Sequence, residues 1–460
     1  MGITDDALLL HVTTMHGVSN SGPFDDEGND DFDFSSLFGG LGAGGDPNAM
    51  MANFMQMFGG FGGGADGGLD NAMNIAVSIA GGGQTEPNVD PVDRMALEQL
   101  IRVAELQIGQ ATGLRTSTSS PLTIAPVTRG DWVRHSMKAY KPILEQMASA
   151  MTSSGPGDDV DFGSDPQLAM FEQLFSSMRP MMVNMTTGSM IGHMGTRALG
   201  TYDLPIPRPG DSELLVVVPN LDAFGEEWSL DKDELRLWVV LSEVAHHAVL
   251  SIPHVAEQIM ELLGRYCTAF RNDPGAITNS LDSFEPTGDM NDLAGLQEQL
   301  QNMFGDPSAL IGSIRSPEQE ALLPEIAALM GVIVGYVDHV MDMVGNNLIA
   351  SYSQLTEALR RRRVTTSESD RFVERLLGLE LDQPLYDRGR AFIDGVVERA
   401  GQDGLAMLWQ SVESLPTPNE MTAPGLWLSR MGIDFDIDID PAELEGLDEF
   451  LASEGDGEEE

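Results

Sequence analysis

From residue 90 onward, apolar side chains recur every three to four positions. In "DPVDRMALEQLIRVAELQIGQATGL", Leu97, Leu100, Ile101, Ala104 and Ile108 fall on one face, with Asp90-Pro91 ahead of them and Gly113 behind. That period, with those start and stop signals, predicts an amphipathic helix. The same pattern predicts helices over 131–151, 165–178, 180–199, 232–250, 253–270, 317–345, 352–363, 367–377 and 385–400. Within the helix at 180–199, Gly188, Gly192 and Gly195 form a stripe without side chains. Such a stripe lets a second backbone come close, so this helix is expected to be buried.

One run has a different character. "SELLVVVPN", 212–220, is continuous and β-branched and ends on Pro219, which predicts a strand. Many helices with one or two such strands give a mainly α fold with a minor β element.

The ends lack this patterning. No Lys or Arg precedes Arg94, and Gly, Asp, Met and Phe dominate "FDDEGNDDFDFSSLFGGLGAGGDPNAMMANFMQMFGGFGGGADGGLD". A segment so acidic and glycine-rich cannot offset its ordering entropy by burial, so most of 1–83 is expected to be disordered. The exception is "PNAMMANFMQMF", 47–58, which reads as a short docking helix. Turn formers fill the stretch from Asn272 and lead to an amphipathic helix at 293–303. After Arg430 no basic residue remains, although Leu444, Leu447, Phe450 and Leu451 share one face of a possible helix. The expected organisation is an acidic arm at 1–88, a helical body at 89–430 and an acidic tail at 431–460.

Charge and cysteine content narrow the function. The 460-residue chain carries 25 Lys and Arg against 72 Asp and Glu, a formal net charge of −47. Nucleic acid and anionic membrane surfaces carry the same sign, so neither is an expected partner; a cationic partner, or solubility alone, fits better. A single cysteine, Cys267, permits no internal disulfide and no thiolate zinc cage. With no basic residue before the short apolar run of the first residues, a secretory signal is not expected. Asp6 stands where a myristoylation signal would have Ser or Thr. No apolar run of membrane length is expected either, and these features together point to the cytoplasm.

The candidate chemistry lies in "SEVAHH", 242–247. A zinc peptidase helix places two histidines four residues apart on one face, with the glutamate after the first acting as general base on a metal-bound water. Glu243 and His246 occupy the base and second-ligand positions, and Ser242 stands where the first histidine would be. A neutral hydroxyl is a poor zinc ligand. His247 is the nearest replacement, although consecutive helical residues diverge by about 100°. His254, Glu257 and Glu261 follow on the next predicted helix. The alternative for the Glu-x-x-His pair is a buried hydrogen bond that fixes a tautomer.

Three stretches carry a resemblance: "VVVPNLDAFGEEWSLDKDELRLWVVLSEVAHHAVL", "VGYVDHVMDMVG" and "ALRRRRVTTSESDRFVERLLGLEL". In this order, over roughly 90–415 and behind a glycine-rich acidic leader, the chain resembles the actinobacterial zincin-like metallopeptidase family, whose members are labelled hydrolases or zinc-dependent metalloproteases. The resemblance implies a helical zincin-like fold, one zinc and peptide-bond hydrolysis in members with the intact motif, and a further glutamate ligand at the position of Val334. It also implies a branch with a degenerate motif, lacking the first histidine and keeping the pair His246 and His247. In this chain Asp338, His339 and Asp342 are the nearest candidates for rebuilding the site. The function expected is a zinc-dependent metallopeptidase-like hydrolase acting on a peptide or protein, with a non-catalytic binding or scaffolding protein as the alternative.

Other stretches read more simply. "LRRRR", 359–363, fits a helix C-terminus where arginines complement the dipole; it could also receive the acidic arms. Trp132, His135 and Tyr140 read as helix packing with a polar rim, and His193 as a core histidine satisfied by hydrogen bonding. No phosphate-binding glycine loop and no serine nucleophile elbow are present.

Overall fold

The structure, a computed structural model, describes residues 65–117, 120–153, 183–208, 212–270, 315–364 and 368–433. The helices expected at 47–58, 165–178, 293–303 and near 444–451 lie outside the described residues.

The chain opens on α1 (Ala65–Ala80) and α2 (Pro91–Thr112), then β1 (Thr123–Val127) and α3 (Arg129–Ser153). Helix α4 spans 183–197. It is followed by β2 (Glu213–Val217), α5 (Val218–Glu227), α6 (Lys232–Leu250) and α7 (Pro253–Thr268). The last part comprises α8 (Pro317–Leu348), α9 (Tyr352–Val364), α10 (Glu368–Leu377), α11 (Gln383–Leu405), three short 3₁₀ turns and α12 (Pro424–Arg430). The mainly α fold with a minor sheet is the one the periodicity predicts.

Helix α1 lies inside the stretch expected to be disordered. Its buried face is Ala72, Ala76 and Ala80, and it meets the glycine stripe of α4. A Cβ on Gly188 would lie 2.5 Å from the Ala72 carbonyl oxygen, and one on Gly192 2.8 Å from Ile79 Cβ. Two smooth faces thus approach at backbone distance and gain dispersion contacts that neither sequence advertises alone.

Two further differences concern the sheet. β1, "TIAPV", gives no strand signal because Pro126 interrupts it, but in a two-stranded sheet each strand is an edge, where proline is tolerated. It pairs in parallel with β2, Thr123 opposite Glu213 through Val127 opposite Val217. β2 ends at Val217, and Pro219, expected to close the strand, instead lies in the first turn of α5, where its missing N–H costs nothing. The segment after α4 joins the sheet's rim: Gly200 bridges Val216 in antiparallel sense, and Val217 N donates to Leu199 O at 2.9 Å.

Helix α8 is packed against α2, α6, α7 and α11, so it must be apolar on nearly all sides. It begins with a capping box between Ser316 and Gln319. At its crossing with α11, a Cβ on Gly335 would lie 2.5 Å from the Gly389 carbonyl oxygen. The expectation of no membrane-length apolar span is corrected here. By length and composition α8 could cross a bilayer, and 67% of its most apolar window is buried within the protein.

Candidate functional site

Helix α6 starts at Asp231, whose carboxylate accepts from Asp233 N and Glu234 N, both at 3.0 Å. Both its flanks are buried against other elements. One face, Trp238, Ser242 and His246, spaced four apart, lines a cavity of about 160 Å³. Val334 and Asp338 of α8, Arg362 and Arg363 of α9, and Tyr202 and Asp203 from the segment after α4 form much of the remaining wall. The positions at which the family resemblance places metal ligands, 242, 246 and 334, therefore converge on one space.

Glu243 is buried. Its carboxyl accepts from Thr201 N at 2.9 Å and from Tyr202 N at 3.1 Å. Gly200 packs flat against it, and a Cβ there would lie 2.5 Å from the carboxyl carbon, so any side chain at 200 would force the carboxyl to move. Burial pushes the Glu243 carboxyl up to about 8, against the opposing effect of the Tyr202 N–H. The receiving segment is itself anchored. Trp132 Nε1 donates to Gly200 O at 2.6 Å, Leu215 N donates to Thr201 Oγ1 at 2.6 Å, and Arg208 Nη2 donates to Thr201 O at 3.0 Å.

The two histidines part company. His246 Nδ1 is 2.8 Å from the Ser242 carbonyl oxygen. A carbonyl only accepts, so Nδ1 carries the proton and Nε2 the lone pair. Burial lowers the His246 pKa, which keeps the ring neutral. His247 is buried, with Nδ1 2.9 Å from Tyr202 Oη, and it does not line the cavity. The Tyr202 ring stacks near that of His246, with centroids 6.2 Å apart and an interplanar angle of 20°.

Of the remaining candidates, His254, Glu257 and Glu261 sit on α7, which bends 86° away from α6, and none of them lines the cavity. His339 pairs with the Gln402 side-chain amide at 3.0 Å. Asp342 accepts from Tyr352 Oη at 2.8 Å and from Arg390 at 3.1 Å. Asp338 alone of that trio reaches the cavity, where Arg363 binds it through both Nη atoms at 3.1 and 3.2 Å. The arginine run divides: Arg361 turns outward to Glu357, while Arg362 and Arg363 enter the cavity wall. Trp132 and Tyr140 are core residues as expected.

The residues present do not fit a zinc ion. The helical partner of His246 is an alcohol, the further ligand position that the resemblance implies is the apolar Val334, and His247 is turned to Tyr202. Among the described residues no group of three His, Cys, Asp or Glu side chains is placed to hold a metal ion.

Thr201, Tyr202 and Asp203 are candidate-site residues that sequence reasoning does not reach, and although Asp338 and Arg363 each stand out in the sequence, their pairing does not. The first two act through backbone N–H groups, which any residue could supply. For the pair, two opposite charges on neighbouring helices are a weak signal.

The comparisons bear on the same region. A family model described as "Zincin-like metallopeptidase" matches residues 69–428. Among solved structures, one from Chloroflexus aurantiacus, titled as a "putative hydrolase with a novel fold", is similar over 79% of this chain and 98% of its own. Its TM-score is 0.55 at 22% identity, a likeness of fold. No curated protein matches.

Proposed function

Because the chain belongs to the zincin-like metallopeptidase family, we propose that it is a metal-independent member that binds a peptide or protein segment at the α6 cavity without hydrolysing it. The observation that carries this reading is the state of Glu243. A general base needs an ionised carboxylate free to take a proton from water. Here the carboxyl, although it borders the cavity, accepts from the Thr201 and Tyr202 N–H groups and is pressed against Gly200. Ser242 and Val334 remove two ligand positions from the same cavity.

What remains is recognition chemistry. The wall offers a neutral imidazole with its Nε2 lone pair and the Ser242 hydroxyl beside the Asp338–Arg363 pair. Such a mix of donors and acceptors suits an oxygen- and nitrogen-bearing segment of chain. A buried Cys267 and a charge of −47 accord with a reducing cytoplasm and a cationic partner.

The second reading is zinc-dependent hydrolysis, supported by the family and by the retained spacing of Glu243 and His246. Peptide hydrolysis by the wild type and by Glu243→Gln separates the two. The binding reading predicts no hydrolysis above background from either protein. Turnover by the wild type that the amide variant abolishes would establish the hydrolase.

A further inference from the structure

The cavity differs from a metal site in a second way, independent of the missing histidine. Asp338 lies one helical turn beyond Val334 and faces the same space as Ser242 and His246. It is a carboxylate on the cavity wall. Yet both its oxygens are taken by the two Nη atoms of Arg363, in the fork geometry that makes such pairs strong and directional. The guanidinium carbon also lies over the Tyr386 ring, 4.3 Å from its centroid. Arg363 comes from the C-terminal turn of α9 and projects into the wall beside His246. His246, Asp338 and Arg363 line the same cavity.

We propose that Arg363 is a tethered cation standing in for a metal ion: it holds the cavity carboxylate Asp338, adds its positive charge to those of Arg197 and Arg362 in the same wall, and excludes a free divalent cation. This rests on the metal-independent reading above and goes further, because it names the residue that keeps the metal out. A guanidinium in place of a metal supplies charge without the Lewis-acid activation that hydrolysis requires.

The test is a gain of metal binding. Zinc affinity is measured by calorimetry on the full chain for wild type, Ser242→His, Arg363→Met, Ser242→His/Arg363→Met and Ser242→His/Arg363→Lys, with circular dichroism reporting folding in each. The double variant with methionine frees Asp338 to join two imidazoles on the α6 face. It is expected to bind one zinc per chain, on the order of 100-fold more tightly than Ser242→His alone, the scale expected for adding a charged ligand and removing a like charge. The lysine version retains the positive charge and should remain as weak as Ser242→His. Ser242→His binding as tightly as the methionine double variant, or a folded methionine double variant that gains nothing, would overturn the role given to Arg363 and leave the metal-independent reading in place. Stoichiometric zinc in the wild type would overturn both.

Discussion

The Glu243 carboxyl and the Thr201 backbone N–H, 2.9 Å apart, join the middle of α6 to the segment that leaves the glycine-striped helix α4. With Tyr202 N donating to the same group, the side chain at the general-base position of the peptidase motif is a tie between two elements. Truncating it should therefore cost stability. Glu243→Ala strands two buried N–H groups and opens a void, so a loss of about 3 kcal/mol is expected. Glu243→Gln keeps an accepting oxygen and should lose less than about 1 kcal/mol. Urea unfolding of both variants checks this; equal losses would refute the tie.

Gly200 gives a second view of the same junction. Its missing side chain is the space that the Glu243 carboxyl occupies. Gly200→Ala should destabilise by about 1–3 kcal/mol through overpacking, and the pairing of Gly200 with Val216 should loosen with it. Hydrogen exchange at Val216 and Val217, faster in the variant than in the wild type, is the expected observation.

A third prediction concerns acid stability. Glu420 is held by Arg430 at 2.6 and 2.8 Å and by Thr417 N at 2.8 Å. Burial alone would raise its pKa, but the Arg430 and Thr417 hydrogen bonds outweigh it and the pKa is lowered. A carboxylate whose pKa is depressed on folding stabilises the fold above its unfolded pKa and loses that contribution as pH falls through the folded value. Glu420→Gln should thus be less stable than wild type by about 1–2 kcal/mol at pH 7, with the gap closing as the solution is acidified. A gap independent of pH would be contrary evidence.

Cys267 offers a probe of global opening. The thiol is buried, and burial pushes its pKa up to about 12, so almost no thiolate exists at neutral pH. Labelling by a thiol reagent should proceed at the rate of opening in native protein and become rapid in denaturant. Fast labelling under native conditions would contradict the burial.

The elements most legible in the sequence are those whose signals are local. Helix α6 spans Lys232–Leu250 as its periodicity predicts, because Asp231 caps it and its apolar positions need no outside information. Helix α1 and strand β1 are illegible for complementary reasons. The apolar face of α1 is alanine in a glycine-rich context and becomes meaningful only against the α4 stripe, while β1 contains the residue that most strongly argues against a strand. At the site, Glu243 and His246 stand out by spacing, and the divergence of His247 follows from helix geometry. The commitment of Glu243 to Thr201 and Tyr202 is hidden, since backbone donors leave no mark in a sequence, and the Asp338–Arg363 pair joins residues 25 positions apart.

The central claim is that this zincin-like cavity works without a metal ion. Its most direct test is the zinc content of the full chain, purified without a metal-affinity tag or chelator and read by atomic emission beside His246→Ala. The structure predicts zinc far below one per chain in both proteins, with no difference between them. One zinc per wild-type chain, lost when His246 is removed, would contradict it.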